Sequence, residues 1–132
     1  GDYFNHWVEM GKKITNKPQI FNVNWFRTDD EGNFIWPGFG DNMRVLDWII
    51  DRCEDKVDAV ETPIGFVPKA EDINIEGLED VTLDTIKDLL TVDKENWKKE
   101  AEGIEQFYGE ITRVPEELKA ELANLKANLA KM

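Results

Sequence analysis

Apolar side chains recur near the start of the chain at roughly helical intervals. Between residues 2 and 14 they lie at Tyr3, Phe4, Trp7, Val8 and Met10. This spacing predicts an opening helix with one apolar face, within residues 1–18. Pro18 cannot continue a helix, so we expect the helix to end before it.

The next segment changes to the two-residue period of a strand. Within residues 19–26 the apolar side chains alternate at Phe21, Val23 and Trp25. Acidic residues followed by Gly32 predict a turn over residues 29–32, after which residues 33–36 can return as a second strand. We therefore expect a hairpin at the start of a β and loop region that covers residues 19–70.

Helical periodicity returns at residues 41–54, with Asp41 as the predicted N-cap. The side chains expected in the core are Leu46, Ile49, Ile50 and Cys53, with Val45 and Trp48 beside them.

A helical tail is predicted over residues 71–132. It contains a short helix at residues 83–90 and two longer patterns of equal spacing, the first capped by Asp93. Pro115, a good first helical residue, separates the two patterns after a short connection, which predicts an antiparallel helical hairpin. The expected fold class is α+β, as a single domain or fragment over residues 1–132.

Five aromatic residues are crowded between residues 25 and 42, in a segment rich in turn formers. They are Trp25, Phe26, Phe34, Trp36 and Phe39. Glycine and proline interrupt this segment, so the phenylalanines are expected on loops rather than on one continuous core face. We expect the two tryptophans to be mainly structural. Loop-borne rings of this kind suggest a slot for a flat ligand.

The end of this segment has its own turn chemistry. Pro37 and Gly38 stand at the central positions preferred by a type II turn, which would place Phe39 at the tip of a bent loop. Asn42 falls in the first turn of the predicted helix, where its amide can project toward Phe39.

The composition limits the classes of function. The chain has 132 residues, of which 41% are hydrophobic and 33% charged, as in a globular domain, and shows no membrane-length apolar run or signal-like opening. Rings on loops also stack on single-stranded nucleic acid, but such proteins need a cationic track for the phosphates. The net charge of −12, from 28 acidic and 16 basic side chains, argues against that partner.

Two stretches carry a resemblance to a known family. Residues 21–27 read Phe-Asn-Val-Asn-Trp-Phe-Arg, and residues 34–48 read Phe-Ile-Trp-Pro-Gly-Phe-Gly-Asp-Asn-Met-Arg-Val-Leu-Asp-Trp. Together they resemble the nucleotide-binding segment of GTP-dependent phosphoenolpyruvate carboxykinase. The similarity continues through residues 62–65 and 76–78 and covers essentially the whole chain, as the C-terminal part of a much longer enzyme.

The resemblance implies a guanine pocket. In the family, the phenylalanines matching Phe26 and Phe39 grip the two faces of guanine, and the one matching Phe34 meets its edge. The base is also contacted by the stretch matching Phe39, Gly40, Asp41 and Asn42, whose asparagine reads the six-position carbonyl. Because an asparagine amide has both a donor and an acceptor, it could flip to suit adenine. Backbone groups of the glycine-rich loop cannot flip in this way, so we expect them to fix the preference for guanine over adenine.

The resemblance further implies a cytoplasmic enzyme of gluconeogenesis, which converts oxaloacetate and GTP to phosphoenolpyruvate, CO2 and GDP with Mn2+ and Mg2+. The sequence has neither a Gly-x-x-x-x-Gly-Lys-Thr-like loop nor a cluster of Lys, His and Asp for manganese. We therefore predict no catalytic or metal-binding residue within these residues. Cys53 is expected to be a small buried apolar residue on a helix rather than a catalytic thiol. The resemblance implies that it does not take the role of the family's reactive cysteine, which belongs to the phosphate loop. The expected partners are a guanine nucleotide and the N-terminal part of the same enzyme, and the segment alone is expected to be inactive.

A second class of function stays open on the residues alone. The same aromatic residues could serve a non-catalytic module that binds a purine nucleotide or a protein. An unpaired strand edge at residues 20–26 and the apolar face around Trp7 also predict self-association in concentrated solution.

Overall fold

Five α-helices and one small antiparallel sheet make up the regular structure of the computed structural model, which describes residues 1–132. In chain order they are α1 (Asp2–Lys13), α2 (Asn42–Cys53), β1 (Val60–Thr62), β2 (Gly65–Val67), α3 (Leu83–Leu89), α4 (Lys94–Glu110) and α5 (Glu116–Ala130). The predicted α+β class is confirmed. The chain forms two compact units, a helical unit of Gly1–Pro18 with Val92–Met132 and a mixed unit of Gln19–Thr91.

The helical unit contains the predicted hairpin of α4 and α5. Ala101 in α4 and Leu129 in α5 are almost completely buried, and the Lys126 ammonium lies 2.8 Å from the Glu105 carboxylate across the helix pair. Asp93 accepts a hydrogen bond from the Asn96 backbone N–H at 2.7 Å, so its predicted role as an N-cap is confirmed.

Helix α1 confirms the predicted opening helix but not the burial of its apolar face. Tyr3 is 78% exposed and Trp7 63% exposed, and no residue of α1 is buried. Polar contacts attach α1 within the helical unit, since Lys12 Nζ lies 3.0 Å from Glu117 and Arg113 lies 2.7 Å from Asp2.

The core of the mixed unit is built around two tryptophans. Its buried members are Trp36, Trp48, Ala70, Ile73, Val81 and Ile86. Phe21 packs edge-on against Trp48, with ring centroids 6.3 Å apart. The expectation that Trp36 is structural is therefore met, and Trp25 packs against the same core as a partly buried residue.

The core face of α2 was predicted only in part. Trp48 is buried and both Val45 and Ile49 pack on the core, whereas three of the predicted core residues, Leu46, Ile50 and Cys53, are exposed. Trp48 has the largest side chain of α2, and its burial sets which stripe of the helix faces inward. The prediction that Cys53 is buried is therefore wrong.

The strand predicted at residues 19–26 does not form, so the expected outer strand edge is absent. Only Thr28 and Phe34 pair, as an isolated antiparallel bridge around the predicted turn. The alternation of residues 19–26 instead reflects side chains that point alternately toward and away from the core. The regular sheet lies further along the chain, where β1 and β2 form a short hairpin with Thr62 opposite Gly65, within the predicted β and loop region of residues 19–70.

Candidate functional site

Phe26 and Phe34 lie together on either side of the turn at residues 29–32. Their ring centroids are 6.0 Å apart with an interplanar angle of 62°, an edge-to-face arrangement. The rings are 72% and 64% exposed. They therefore form a pair of rings that is open to solvent.

Asp29 organises the turn that holds this pair. Its Oδ1 accepts hydrogen bonds from the backbone N–H groups of Asn33 at 2.8 Å and of Glu31 at 2.9 Å. Its own N–H donates to the Asn33 carbonyl at 2.9 Å, and the Gly32 N–H donates to the Asp29 carbonyl at 3.1 Å. The bond from the Asn33 N–H holds the pKa of Asp29 below its ordinary value, because it favours the charged carboxylate.

Phe39 is carried by a backbone of unusual conformation. Gly38 has φ 77° and ψ −165°, and Phe39 itself has φ 46°. Phe39 then opens a single 3-10 turn, Phe39–Asp41, in which the Asp41 N–H donates to the Gly38 carbonyl at 3.1 Å. The predicted type II turn is wrong, because that turn needs ψ near 0° at the glycine. The predicted exposure of Phe39 is correct, since its ring is 97% exposed.

Asn42 begins α2 and is tied to the core by its side chain. Its Oδ1 accepts a hydrogen bond from the indole N–H of Trp36 at 2.9 Å. Its backbone N–H donates to the carbonyls of the preceding 3-10 turn. Asn42 is half-buried, and its Nδ2 has no partner among the hydrogen bonds of the chain. The amide therefore presents its two N–H donors, and its oxygen is committed to Trp36.

Asp41 occupies the N-cap position of α2 but does not cap it with its side chain. It has helical backbone angles because the 3-10 turn runs directly into α2, so its carboxylate cannot reach back over the helix end. The carboxylate instead accepts from Arg44 Nε at 3.0 Å, while the other guanidinium nitrogens of Arg44 donate to the carbonyls of Asn74 at 2.9 Å and Glu76 at 3.0 Å. The start of α2 is therefore fastened to the loop at residues 74–76.

The residues predicted for the site thus fall into two groups. Phe26 and Phe34 form one pair, and the run Phe39, Gly40, Asp41 and Asn42 forms the other group at the start of α2. No aromatic ring of the chain stacks on Phe39. The Trp36–Asn42 hydrogen bond connects the segment after Phe34 to the second group.

The sequence interpretation missed two residues that hold this site in place. Arg44 acts as a clamp that joins Asp41 to the loop at residues 74–76 through three hydrogen bonds, of which one is to Asp41. Trp36 was expected to be structural, and its N–H contact to Asn42 was not foreseen. The only sequence signal for this contact is a tryptophan six residues before an asparagine, with Pro37 and Gly38 between them. No known motif links that spacing to a hydrogen bond.

The geometry defines a class of site. Exposed aromatic rings offer faces for a planar heteroaromatic ligand, and a half-buried amide with free donors can read an acceptor on its edge. Two other features are absent from the chain. No group of three or more His, Cys, Asp or Glu side chains could hold a metal ion. No helix is long and apolar enough to cross a membrane.

Comparison with known proteins gives the family. A family model described as the phosphoenolpyruvate carboxykinase C-terminal P-loop domain matches residues 1–128. The chain is 47% identical to a phosphoenolpyruvate carboxykinase [GTP] of Thermoplasma volcanium over 128 residues, which is 97% of this chain and 21% of the relative. It is 49% identical to the proteins of that name from Treponema pallidum subsp. pallidum (97% of this chain, 21% of the relative) and Renibacterium salmoninarum (98% and 22%), in each case over 132 residues.

The chain therefore belongs to the GTP-dependent phosphoenolpyruvate carboxykinase family, as the resemblance of its aromatic segment predicted. It spans about a fifth of the length of the curated relatives it matches, 21% in the Thermoplasma protein. The family model's description includes a P-loop, whereas these 132 residues contain no Gly-x-x-x-x-Gly-Lys-Ser/Thr motif.

Proposed function

We propose that the chain supplies the guanine-base pocket of a GTP-dependent phosphoenolpyruvate carboxykinase, which converts oxaloacetate and GTP to phosphoenolpyruvate, CO2 and GDP. The observation that carries this proposal is the exposed Phe39 ring, which stands three residues before an amide with free donors. Both belong to the segment whose residues resemble the family's nucleotide site. A cytoplasmic enzyme of gluconeogenesis is part of the same proposal.

The stacking part of the pocket follows from the three phenylalanines. Phe26 and Phe39 take the two faces of the base, and Phe34 lies against its edge. The edge-to-face geometry of Phe26 and Phe34 supports this division, because two rings so arranged cannot both lie flat on one base. Stacking contributes about 1–3 kcal/mol per base and does not distinguish purines.

The recognition part of the pocket is Asn42. Its Nδ2 donates to the six-position carbonyl of guanine, an acceptor that adenine replaces with an amino donor. Gly40 and Asp41 add the backbone of the 3-10 turn beside the base. The carboxylate of Asp41 is already engaged by Arg44, so this residue serves the pocket through its backbone.

We place the phosphate and metal sites outside this chain. The residues present do not fit Mn2+ or Mg2+, since no group of acidic, His or Cys side chains is arranged for a metal ion. The net charge of −12 is also unsuited to holding a triphosphate. The rest of the enzyme then supplies those ligands, and this segment alone is inactive.

The alternative, a non-catalytic module that binds a protein, is supported by an exposed apolar stripe on α2. Met43 is 60%, Leu46 39% and Ile50 53% exposed. In our proposal this stripe faces the remainder of the enzyme, since the relatives are about five times longer. The native mass separates the two functions, because a module would end near these termini and the enzyme would be far larger.

The test of the proposed pocket is nucleotide affinity in the full-length enzyme. Phe39→Ala is expected to raise the Kd for GDP by about five- to 150-fold, the loss of one stacking face. Phe66→Ala is the matched control, because Phe66 is another exposed phenylalanine of the mixed unit, at 65%, and lies on β2. Equal Kd values for wild type and Phe39→Ala would overturn the proposal.

A further inference from the structure

The indole of Trp36 has a polar contact that core packing does not require. Trp36 is 7% exposed and belongs to the core of the mixed unit. Its N–H nevertheless reaches out of the core to the Asn42 side chain, at 2.9 Å from Oδ1. Removing that contact would leave a buried donor without a partner, which is costly.

This contact fixes which way the Asn42 amide faces. An indole nitrogen is a donor only, whereas an amide carries an acceptor oxygen and a donor nitrogen. At 2.9 Å the atom that meets Trp36 must therefore be the oxygen. The nitrogen and its two hydrogens are then directed away from Trp36, and a flipped amide would set two donors against each other.

We propose that Trp36 is the positioning residue for base selection, which rests on the proposed guanine pocket. By holding Oδ1, Trp36 leaves Asn42 only donors to offer the ligand. A six-position carbonyl, as in guanine and hypoxanthine, accepts from Nδ2, and a six-position amino group, as in adenine, is rejected. The Asn42 amide alone could flip to suit either base, and the hydrogen bond from the Trp36 indole prevents that flip. Backbone groups of the loop can add to the same preference.

The experiment measures the Kd values of IDP and ADP in the full-length enzyme, because hypoxanthine and adenine differ at the six position and the adjoining ring nitrogen. In Trp36→Phe the amide can rotate and accept from the amino group of adenine. The ratio of IDP affinity to ADP affinity is expected to fall by about ten-fold, the worth of one hydrogen bond at a buried donor.

Trp48→Phe is the matched control for this substitution. Trp48 is a buried tryptophan of the same core, at 5% exposure, and its indole nitrogen has no hydrogen-bond partner in the chain. Its substitution removes the same atoms without touching Asn42, so the IDP-to-ADP ratio should stay at the wild-type value. A fall equal to that in Trp36→Phe would assign the effect to core packing and overturn the inference.

A double-variant comparison separates orientation from general distortion. In Asn42→Asp both side-chain oxygens are acceptors, so there is no orientation left to hold. Trp36→Phe should therefore leave the IDP-to-ADP ratio unchanged in the Asn42→Asp background, although it lowers the ratio in the wild-type background. A ten-fold effect in both backgrounds would contradict the inference.

The guanine pocket and the positioning role of Trp36 are refuted by different results. If wild type shows no preference for GDP over ADP, or Phe39→Ala leaves GDP binding intact, the guanine pocket itself is wrong. If the pocket passes those tests and Trp36→Phe keeps the wild-type IDP-to-ADP ratio, only the role of Trp36 is wrong. Should Trp36→Phe not fold, replacing Trp36 with 3-benzothienylalanine keeps the ring shape and removes the N–H, with the same expected fall in the ratio.

Discussion

Gly38→Ala tests whether the loop backbone, and not only its side chains, creates the site. Gly38 has φ 77° and ψ −165°, a region of conformational space that is essentially restricted to glycine. A methyl group at this position would meet no atom within 4 Å. Any effect of the substitution must therefore arise from backbone strain rather than from a clash with neighbours.

The magnitude follows from how the strain is relieved. A non-glycine residue in this region costs about 1–3 kcal/mol. The Phe39 ring is 97% exposed, so few contacts would hold the loop in a strained shape. We expect the free protein to relax to an allowed backbone conformation that moves Phe39. Binding would then have to restore the original loop, which weakens GDP affinity by about five- to 150-fold.

Isothermal titration of the full-length enzyme with GDP measures this loss, and a thermal melt should show little change because the relaxed loop carries no strain. Gly65→Ala is the matched control. Gly65 has φ 117° and equally open surroundings but lies in the β1–β2 hairpin. It should disturb that hairpin and leave GDP affinity intact. Wild-type GDP affinity in Gly38→Ala would refute the role given to the loop backbone.

Three further predictions concern the supports of the site and the activity of the segment. Hydrogen bonds, first of all the one from the Asn33 backbone N–H, lower the pKa of Asp29 in the folded chain. These bonds therefore stabilise the turn fully at pH values above the ordinary pKa of 3.8, and their stabilisation is lost as the pH falls through the lower pKa of the folded chain. The protection of the Asn33 amide against hydrogen exchange should fall in acid, and pH-independent protection would contradict this. Arg44→Lys keeps the charge but not the three-way donor geometry, so it should destabilise the start of α2 by about 1–3 kcal/mol and weaken GDP binding; an unchanged melting temperature and Kd would count against the clamp. The isolated 132-residue segment should show no carboxykinase turnover at any manganese concentration, and turnover that copurifies with it would disprove the assignment of metal and phosphate ligands to the rest of the enzyme.

Helices were predictable from the sequence because their hydrogen bonds are local. The periodicity of residues 2–14 predicted a helix within residues 1–18, where α1 forms and ends at Lys13, and Asp93 was correctly assigned as the cap of α4. What periodicity could not settle was the buried face. In α2 two neighbouring stripes are apolar, and the one that carries Trp48 faces the core, while that of Leu46 and Ile50 is exposed.

Strands were less predictable because they depend on partners far along the chain. Residues 19–26 alternate as a strand does, but the return segment is diverted where Trp36 enters the core and Pro37 lacks a donor for a ladder. Only the Thr28–Phe34 bridge remains. Self-association through an exposed strand edge therefore loses its basis. Self-association through the face of α1, where Trp7 is 63% exposed, stays a prediction.

The aromatic members of the candidate site were predictable, but the polar contacts around them were not. Three phenylalanines among glycines and a proline indicated loop-borne rings, and all three are exposed. The partners of Asn42 and Asp41 depend on where Trp36 and Arg44 are carried by the fold. The order of residues along the chain does not give the distances between these side chains. The family resemblance implied roles for Asp41 and Asn42 but not the residues that hold them in place.

A crystal structure of the full-length enzyme with GDP bound tests the proposed guanine pocket. We expect the guanine ring between Phe26 and Phe39, with Phe34 at its edge. The six-position oxygen should lie about 2.9 Å from Asn42 Nδ2, while Trp36 still donates to Oδ1 and the phosphates and metal ions contact residues outside this segment. A guanine base bound away from Phe39 and Asn42 would show that the pocket lies elsewhere.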